Sequence, residues 1–296
     1  MLDQLIKMKI NRPYEDDKKP IVYIIPSPIG NLKDITLRAI DILKEVDVIA
    51  CEDTRVTAKL LSFYNIKNKK IISLYSQNEV ENSKKIVNEV KKNSQSLAYL
   101  SDAGTPGISD PGGILIQTCY ENDVKVTCLP GASALTTGVV ISNINSSHFS
   151  FFGFLPTKES KIKEILNSLS NNKETLVFYE SPLRVISTLK IMKEVFGGDR
   201  IISLIRELTK IHEEITNGSI DEIISSNPLI KGECIIVVTG REIIEYTTDD
   251  IDKLIEENYS KGISTSDLAK KVSKISGISK KNVYNRILEK ERKNEK

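Results

Sequence analysis

The sequence of 296 residues predicts two consecutive α/β domains followed by a small all-helical C-terminal domain. Three observations carry this reading. Short β-branched runs alternate with helix-period segments from Ile21 onward, the alternation restarts after Asn145, and strand-like runs cease beyond about residue 245. Strand and helix in regular turn argue for βαβ units and a mostly parallel sheet.

Taken in order, residues 1–20 mix Lys7, Lys9, Arg12, Asp16, Asp17, Lys18 and Lys19 with isolated apolar residues. They lack the continuous apolar centre of a secretory signal and read as a flexible extension. The first domain, 21–145, has expected strands at 21–25, 46–51, 71–75, 96–100 and 124–129. Helices are expected near 34–46, from about 54, near 79–92 with Ile86, Val87 and Val90 on one side, near 112–121 and from about 132. A Ser- and Asn-containing hinge near 142–148 precedes the second domain, 146–245, with strands at 150–155, 175–180, 200–208 and 233–238 and helices near 158–169 and 183–196. In the tail, 246–296, Leu268, Val272 and Ile275 fall at helical spacing, Gly277 interrupts, and Ile278, Val283, Ile287 and Leu288 resume, with Ser279 as the expected N-cap. Two short helices about a glycine suggest a helix-turn-helix; any small helical hairpin gives the same pattern.

Composition narrows the class. With 40% hydrophobic and 28% charged residues, the chain has no apolar run near the roughly 20 residues that span a bilayer. Cys51, Cys119, Cys128 and Cys234 form no CxxC pair, and His148 and His212 are the only imidazoles, so neither a metal site nor a disulfide framework is expected and a reducing, cytoplasmic setting fits. The net charge of +2 conceals an asymmetry, because from Ser264 onward ten basic residues face four acidic ones. That end suits a phosphate-bearing partner, although a solvated helical face explains the same count.

Neither the dinucleotide fingerprint G-x-G-x-x-G after a strand nor the P-loop is present. Instead, three loops follow expected strands: SPIGN at 27–31, SDAGTPG at 101–107, which continues as ISDPGG to 113, and LPGASA at 129–134. In an open α/β sheet, ligands collect beyond the carboxyl ends of strands, so these loops should converge on one crevice. Glycines and prolines there permit close backbone approach, and the aspartates offer fixed carboxylates.

SPIGNLKDITLRAIDILKEVDVIACEDTR, SDAGTPGISDPGG, LPGASA, FFGFLPTK, FYESPLR, RELTKIHEE and KGECIIVVTG, in this order, resemble the tetrapyrrole methylase superfamily over about Ile21 to Arg241. EDTR and SDAGTPGISDPG resemble the branch that acts on ribosomal RNA, and the tail is similar to that branch's helical C-terminal domain. The resemblance implies S-adenosylmethionine as methyl donor, held in a cleft between the two α/β domains. It also implies 2′-O-methylation of the ribose of a decoding-centre cytidine, with 16S ribosomal RNA or the small ribosomal subunit as partner, and a homodimer. Carried over by position, Pro28 and Gly30 pass close to the donor, Ser101, Asp102, Ala103, Gly104 and Thr105 line its amino-acid and ribose portions, and Pro130, Gly131, Ala132, Ser133 and Ala134 close the opposite side. Phe154, Leu155 and the Lys231, Gly232, Glu233 turn come from the second domain.

On the acceptor side, transfer to a hydroxyl requires in-line approach and a group to take the proton, and Glu52, Asp53 and Glu180 are the carboxylate candidates. Arg55, Arg184, Arg206 and Lys210 are the expected phosphate contacts, a surface ion pair being the plain alternative for each. The family's usual histidines are replaced here by Val56 and Leu183 and are absent from 73–79, and Gly113 and Ala132 stand for the more usual Tyr and Pro. Two other readings stay open: an RNA-binding assembly factor that keeps the donor pocket without turnover, and a tetrapyrrole methyltransferase.

Overall fold

The computed structural model describes residues 10–14, 19–226, 228, 230–241, 248–259, 262–276 and 278–294. The chain divides into two compact units, Met1–Gly240 and Arg241–Lys296. The first contains two five-stranded sheets.

The first sheet alternates with helices as the sequence pattern predicts: β1 (Ile21–Ile24), α1 (Leu37–Glu45), β2 (Val48–Cys51), α2 (Thr54–Phe63), β3 (Lys70–Ser73), α3 (Glu79–Lys92), β4 (Ser96–Leu100), α4 (Gly113–Glu121), β5 (Lys125–Cys128) and α5 (Ala134–Ile141). Its order is β3-β2-β4-β1-β5, every pair parallel. The strands β4, β1 and β5 are therefore neighbours, and the three loops that follow them start side by side. β2 and β4 are buried on both faces, which is why VIAC and SLAYL read as continuous apolar runs. The helix expected from residue 34 begins later, because the Thr36 hydroxyl accepts from Ala39 N at 3.1 Å and caps α1.

The second sheet comprises β6 (Phe149–Phe154), β7 (Thr175–Glu180), β8 (Ile201–Arg206), β9 (Glu214–Ser219) and β10 (Cys234–Val238), with α6 (Glu159–Leu169), α7 (Val185–Phe196) and α8 (Ile220–Ser225). The order β6-β7-β10-β8-β9 is mixed: β6 and β7 run parallel, while β10 is antiparallel to both its neighbours. The sequence reading did not anticipate β9 and α8. EITNGS is an edge strand without a fully buried residue, so it lacks an apolar signature, and α8 is short and fixed by a Ser219/Glu222 capping box.

Strand alternation divides the second sheet's side chains. Leu176 and Phe178 join the core under α6 and α7, whereas Val177 and Tyr179 face the first lobe. There Val177, Ile205, Ile235 and Val237 pack with Ile29 and Val139 of the first lobe. Each such fully buried side chain contributes roughly 1.5–3 kcal/mol, so the two lobes share a core. Gly138 of α5 permits this approach, since a Cβ there would lie 2.7 Å from Ile235 Cδ1.

The second unit contains α9 (Thr248–Asn258), α10 (Thr265–Ser276) and α11 (Lys280–Asn294) around Ile255, Leu268, Val272, Val283 and Ile287. Ser279 caps α11 through Asn282 N, and Gly277 lies outside the described residues. Ile275, expected on the apolar face, is 46% exposed instead, because residues 268, 269 and 272 already fill the seam. Among the described residues, no helix is long and apolar enough to cross a membrane, and no cluster of His, Cys, Asp and Glu could hold a metal ion.

Candidate active site

The loops after β1, β4 and β5 meet. Ser27 and Gly104 exchange backbone hydrogen bonds, 2.9 Å each way, while the Ser27 hydroxyl donates to Ser101 O at 2.8 Å. Thr105 Oγ1 donates to Ala132 O at 3.1 Å and ties the second loop to the third. Against them stands the second lobe, presenting the ends of β6, β7 and β8 and the start of β10. A cavity of about 300 Å³ lies between, walled by Ile29, Ala103, Gly104, Thr105, Ile108, Ser109, Asp110, Ser133 and Ala134 on one side. Phe154, Tyr179 to Pro182, Ile205, Leu208 and Glu233 to Ile235 form the other.

An aromatic wall follows from a bulge. Phe151 pairs with Val177 but Phe154 with Tyr179, so three steps of β6 oppose two of β7, and Gly153 at φ +61° absorbs the extra residue. Phe154, 59% exposed, is thereby turned edge-to-face against Tyr179, ring centroids 5.5 Å apart. Burial pushes the Tyr179 phenol up to about 12, so it stays neutral.

Three carboxylates edge the cavity. Asp110 is raised above the usual carboxylate range by burial, against the lowering effect of the nearby Ser101 hydroxyl. Glu180, 1% exposed, accepts from Ser181 N at 2.9 Å and Thr188 Oγ1 at 2.7 Å, with Arg184 Nε 3.4 Å away. Glu233 receives Lys210 Nζ at 3.3 Å.

The residues singled out from sequence fall into distinct places. Ala103, Gly104, Thr105, Ser133, Ala134, Phe154 and Glu233 line the cavity, as does Glu180. Pro28, Gly30, Ser101 and Asp102 instead line a second cavity of about 260 Å³, with Lys59 and Leu60 of α2. Leu155 is buried in the core of the second lobe. Among the remaining loop residues, Pro130 is absent from both linings, Gly131 lies against Pro26, where a Cβ would come within 2.7 Å, and Ala132 contributes its carbonyl. Gly232, at φ +74°, makes room for Glu207. Ile108, Ser109 and Asp110 also line the first cavity; the sequence marks their loop and its aspartates as ligand-holding but does not assign these three to the donor. Their position just past the glycines was the available signal.

The acceptor-side charges are largely paired. Asp53 caps α2 through Arg55 N and grips the Arg55 side chain, whose hydrogen bonds hold the carboxyl down at about 2. Arg184 donates to the carbonyls of Leu155 and Pro156 at 3.0 and 2.7 Å, Arg206 meets Glu214 at 2.6 Å, and Lys210 bridges Glu207 and Glu233. Glu52 differs. Its Oε2 accepts a long 3.3 Å bond from Asp102 N, and burial, with the charges of Asp102, Asp110 and Asp53, holds its carboxyl above the ordinary range.

At Gly30 the first lobe runs close against the second. A Cβ there would lie 2.5 Å from Lys210 Cγ, 2.6 Å from Thr209 Oγ1 and 2.9 Å from the Leu208 carbonyl, and Thr209 already sits at φ +66°. The carbonyl cannot yield without moving Leu208 in the cavity wall. Gly30→Ala is expected to lower unfolding free energy by about 1–3 kcal/mol in urea titration. Gly113→Ala, where a Cβ meets nothing within 4 Å, serves as the neutral control.

Residues 21–224 match the model of the tetrapyrrole (corrin/porphyrin) methylases. The chain is 38% identical over 284 residues to the ribosomal RNA small subunit methyltransferase I of Streptococcus pyogenes, covering 94% of this chain and 98% of that one. It is 39% identical to the protein of that name from Bacillus subtilis, covering 89% and 92%, and 44% identical to the one from Vibrio cholerae, covering 75% and 77%. Among solved structures it resembles a diphthine synthase, with a TM-score of 0.61 at 14% identity over 74% of this chain and 90% of that one. It also resembles a uroporphyrin-III-C-methyltransferase from Thermus thermophilus, with a TM-score of 0.54 at 14% identity over 74% and 94%. At such identity these two likenesses concern the fold alone.

Proposed function

The chain belongs to the tetrapyrrole (corrin/porphyrin) methylase family, and from that premise we propose that it is an S-adenosylmethionine-dependent methyltransferase of ribosomal RNA. Its specific reaction, in this reading, is 2′-O-methylation of the ribose of a decoding-centre cytidine in 16S ribosomal RNA, carried out in the cytoplasm. The observation that carries it is the interlobe cavity, which combines an aromatic face with carboxylates from both lobes. That set of groups fits the donor: Phe154 and Tyr179 suit a flat purine, Ser133 and Ser109 suit ribose hydroxyls, and Asp110 suits a cationic centre. When bound, the donor supplies an electrophilic methyl group on a sulfonium.

The chain's own residues would then orient and deprotonate. Glu52 lines neither cavity, but, kept above the ordinary carboxylate range and lightly bonded, it is the least engaged of the three carboxylates and the one assigned to take the proton of the attacking hydroxyl. Asp53 is engaged by Arg55, and both oxygens of Glu180 are hydrogen-bonded within the second lobe. Phosphates would meet the exposed Lys59 at the second cavity and the tail lysines Lys270, Lys271 and Lys281, which have no ion-pair partner among the described residues. Arg286 is less available, since Asp252 holds it at 2.7 and 2.8 Å. The exposed Val140 and Ile141 of α5 offer apolar surface to a second copy, in keeping with a homodimer.

Purified protein is expected to transfer labelled methyl from S-adenosylmethionine to small ribosomal subunits, the label mapping to a cytidine 2′-oxygen. Transfer to a tetrapyrrole and not to RNA would contradict the reading. Donor binding without any transfer would favour an assembly factor, the alternative that the non-histidine positions Val56 and the 95% exposed Leu183 leave open.

A further inference from the structure

We infer that Glu79 is a positioning residue for the donor cavity. It acts from α3 by fixing the far end of the glycine-rich loop, and this inference rests on the reading of that cavity as the donor site. The loop has two anchored ends. Its entry is held by the Ser27 and Gly104 backbone pair, and its exit leads into α4, whose first N–H groups need acceptors. The residue at the N-cap of α4 is Gly112, at φ +133°, with Tyr99 Cε1, Gly107 N and Pro106 Cβ all 3.1–3.2 Å from where a Cβ would stand. A side chain there would be strained and crowded, and glycine offers no capping group, so the cap comes from elsewhere.

Glu79 provides it across 33 residues of sequence: Oε1 accepts from Gly112 N at 2.8 Å and from Ile114 N at 3.0 Å. Glu79 is 7% exposed, and its carboxylate lies at a helix N-terminus, where the dipole favours negative charge. Between the anchors, the segment that lines the cavity with Ile108, Ser109 and Asp110 has one backbone hydrogen bond of its own, Gly107 N to Pro111 O at 3.1 Å. The Asp110 side chain is tied to the Ser101 hydroxyl at the entry, and its backbone depends on the exit as well. The chemistry needs nothing further of Glu79, so its loss should alter donor affinity and leave the transfer step unchanged.

The test uses the full chain with Glu79→Ala and Glu79→Gln. S-adenosylmethionine affinity is measured by calorimetry, kcat on small ribosomal subunits at saturating donor, and amide hydrogen exchange without ligand. Glu79→Ala is expected to weaken donor binding roughly tenfold while kcat stays within about twofold, and exchange at residues 107–114 should accelerate. Glu79→Gln retains an acceptor oxygen without the charge, so a smaller loss of about threefold is expected, and this variant carries the test should the alanine form not fold. Unchanged affinity and unchanged exchange in the variants would overturn the inference, as would a fall in kcat at constant affinity. If the unsubstituted protein binds no donor, the functional reading fails instead, and the exchange experiment alone still decides whether Glu79 pins the loop.

Discussion

Asp110→Asn is expected to weaken S-adenosylmethionine binding about tenfold to a hundredfold with the fold intact, because a charge-assisted contact contributes roughly 1.5–3 kcal/mol. Asp110 lies in the wall of the interlobe cavity, and burial lifts its carboxyl above the ordinary range. The pH dependence follows from that direction. A raised carboxyl takes up its proton earlier on acidification than an ordinary one, so donor affinity in the unsubstituted protein should fall as the pH drops through that raised value, and the asparagine variant should flatten that slope. Stability moves the other way: in the window between the unfolded and the higher folded value, the native state binds more protons, so this group's contribution to stability grows as pH falls and is lost as pH rises. Calorimetric titration and urea unfolding across that range check both signs. Equal donor affinity in the two proteins at neutral pH would remove Asp110 from the site.

Glu180→Ala is expected to destabilise the first unit by about 3 kcal/mol, the scale for removing one partner from a buried, hydrogen-bonded charge pair. Glu180 ties the end of β7 to α7 through Ser181 N, Thr188 Oγ1 and Arg184, and Arg184 in turn holds the carbonyls that follow β6. Urea unfolding measures the loss. Glu180→Gln separates the structural role from proton transfer, since it keeps the shape; turnover should survive in it. A stable glutamine variant with turnover reduced about a hundredfold would make Glu180 the base.

Much of the fold could be read from the chain because parallel strands buried on both faces leave apolar runs that helices separate. VIAC and SLAYL are such runs, and the loops after β1, β4 and β5 carry their glycines and prolines in plain view. EITNGS, an edge strand, leaves no such mark. The site was less legible because a position after a strand locates a side chain without giving its direction. Gly30, Gly131 and Gly232 are small because Lys210, Pro26 and Glu207 press on them, a demand that looks the same in sequence as an approach to a ligand. Arg55, Arg184 and Lys210 follow strands and Arg206 ends one, yet each meets a carboxylate or carbonyl of the same lobe. Glu79 lies 33 residues from the backbone it caps, a distance that no local pattern spans.

The most direct measurement is a crystal structure of the full chain soaked with S-adenosylmethionine. Density for the adenosyl group against Phe154 and Tyr179, with the sulfonium on the Asp110 side of the interlobe cavity, is the expected result. Ligand density confined to the second cavity beside Lys59 and Asp102, or an interlobe cavity closed by the Phe154 ring, would contradict it.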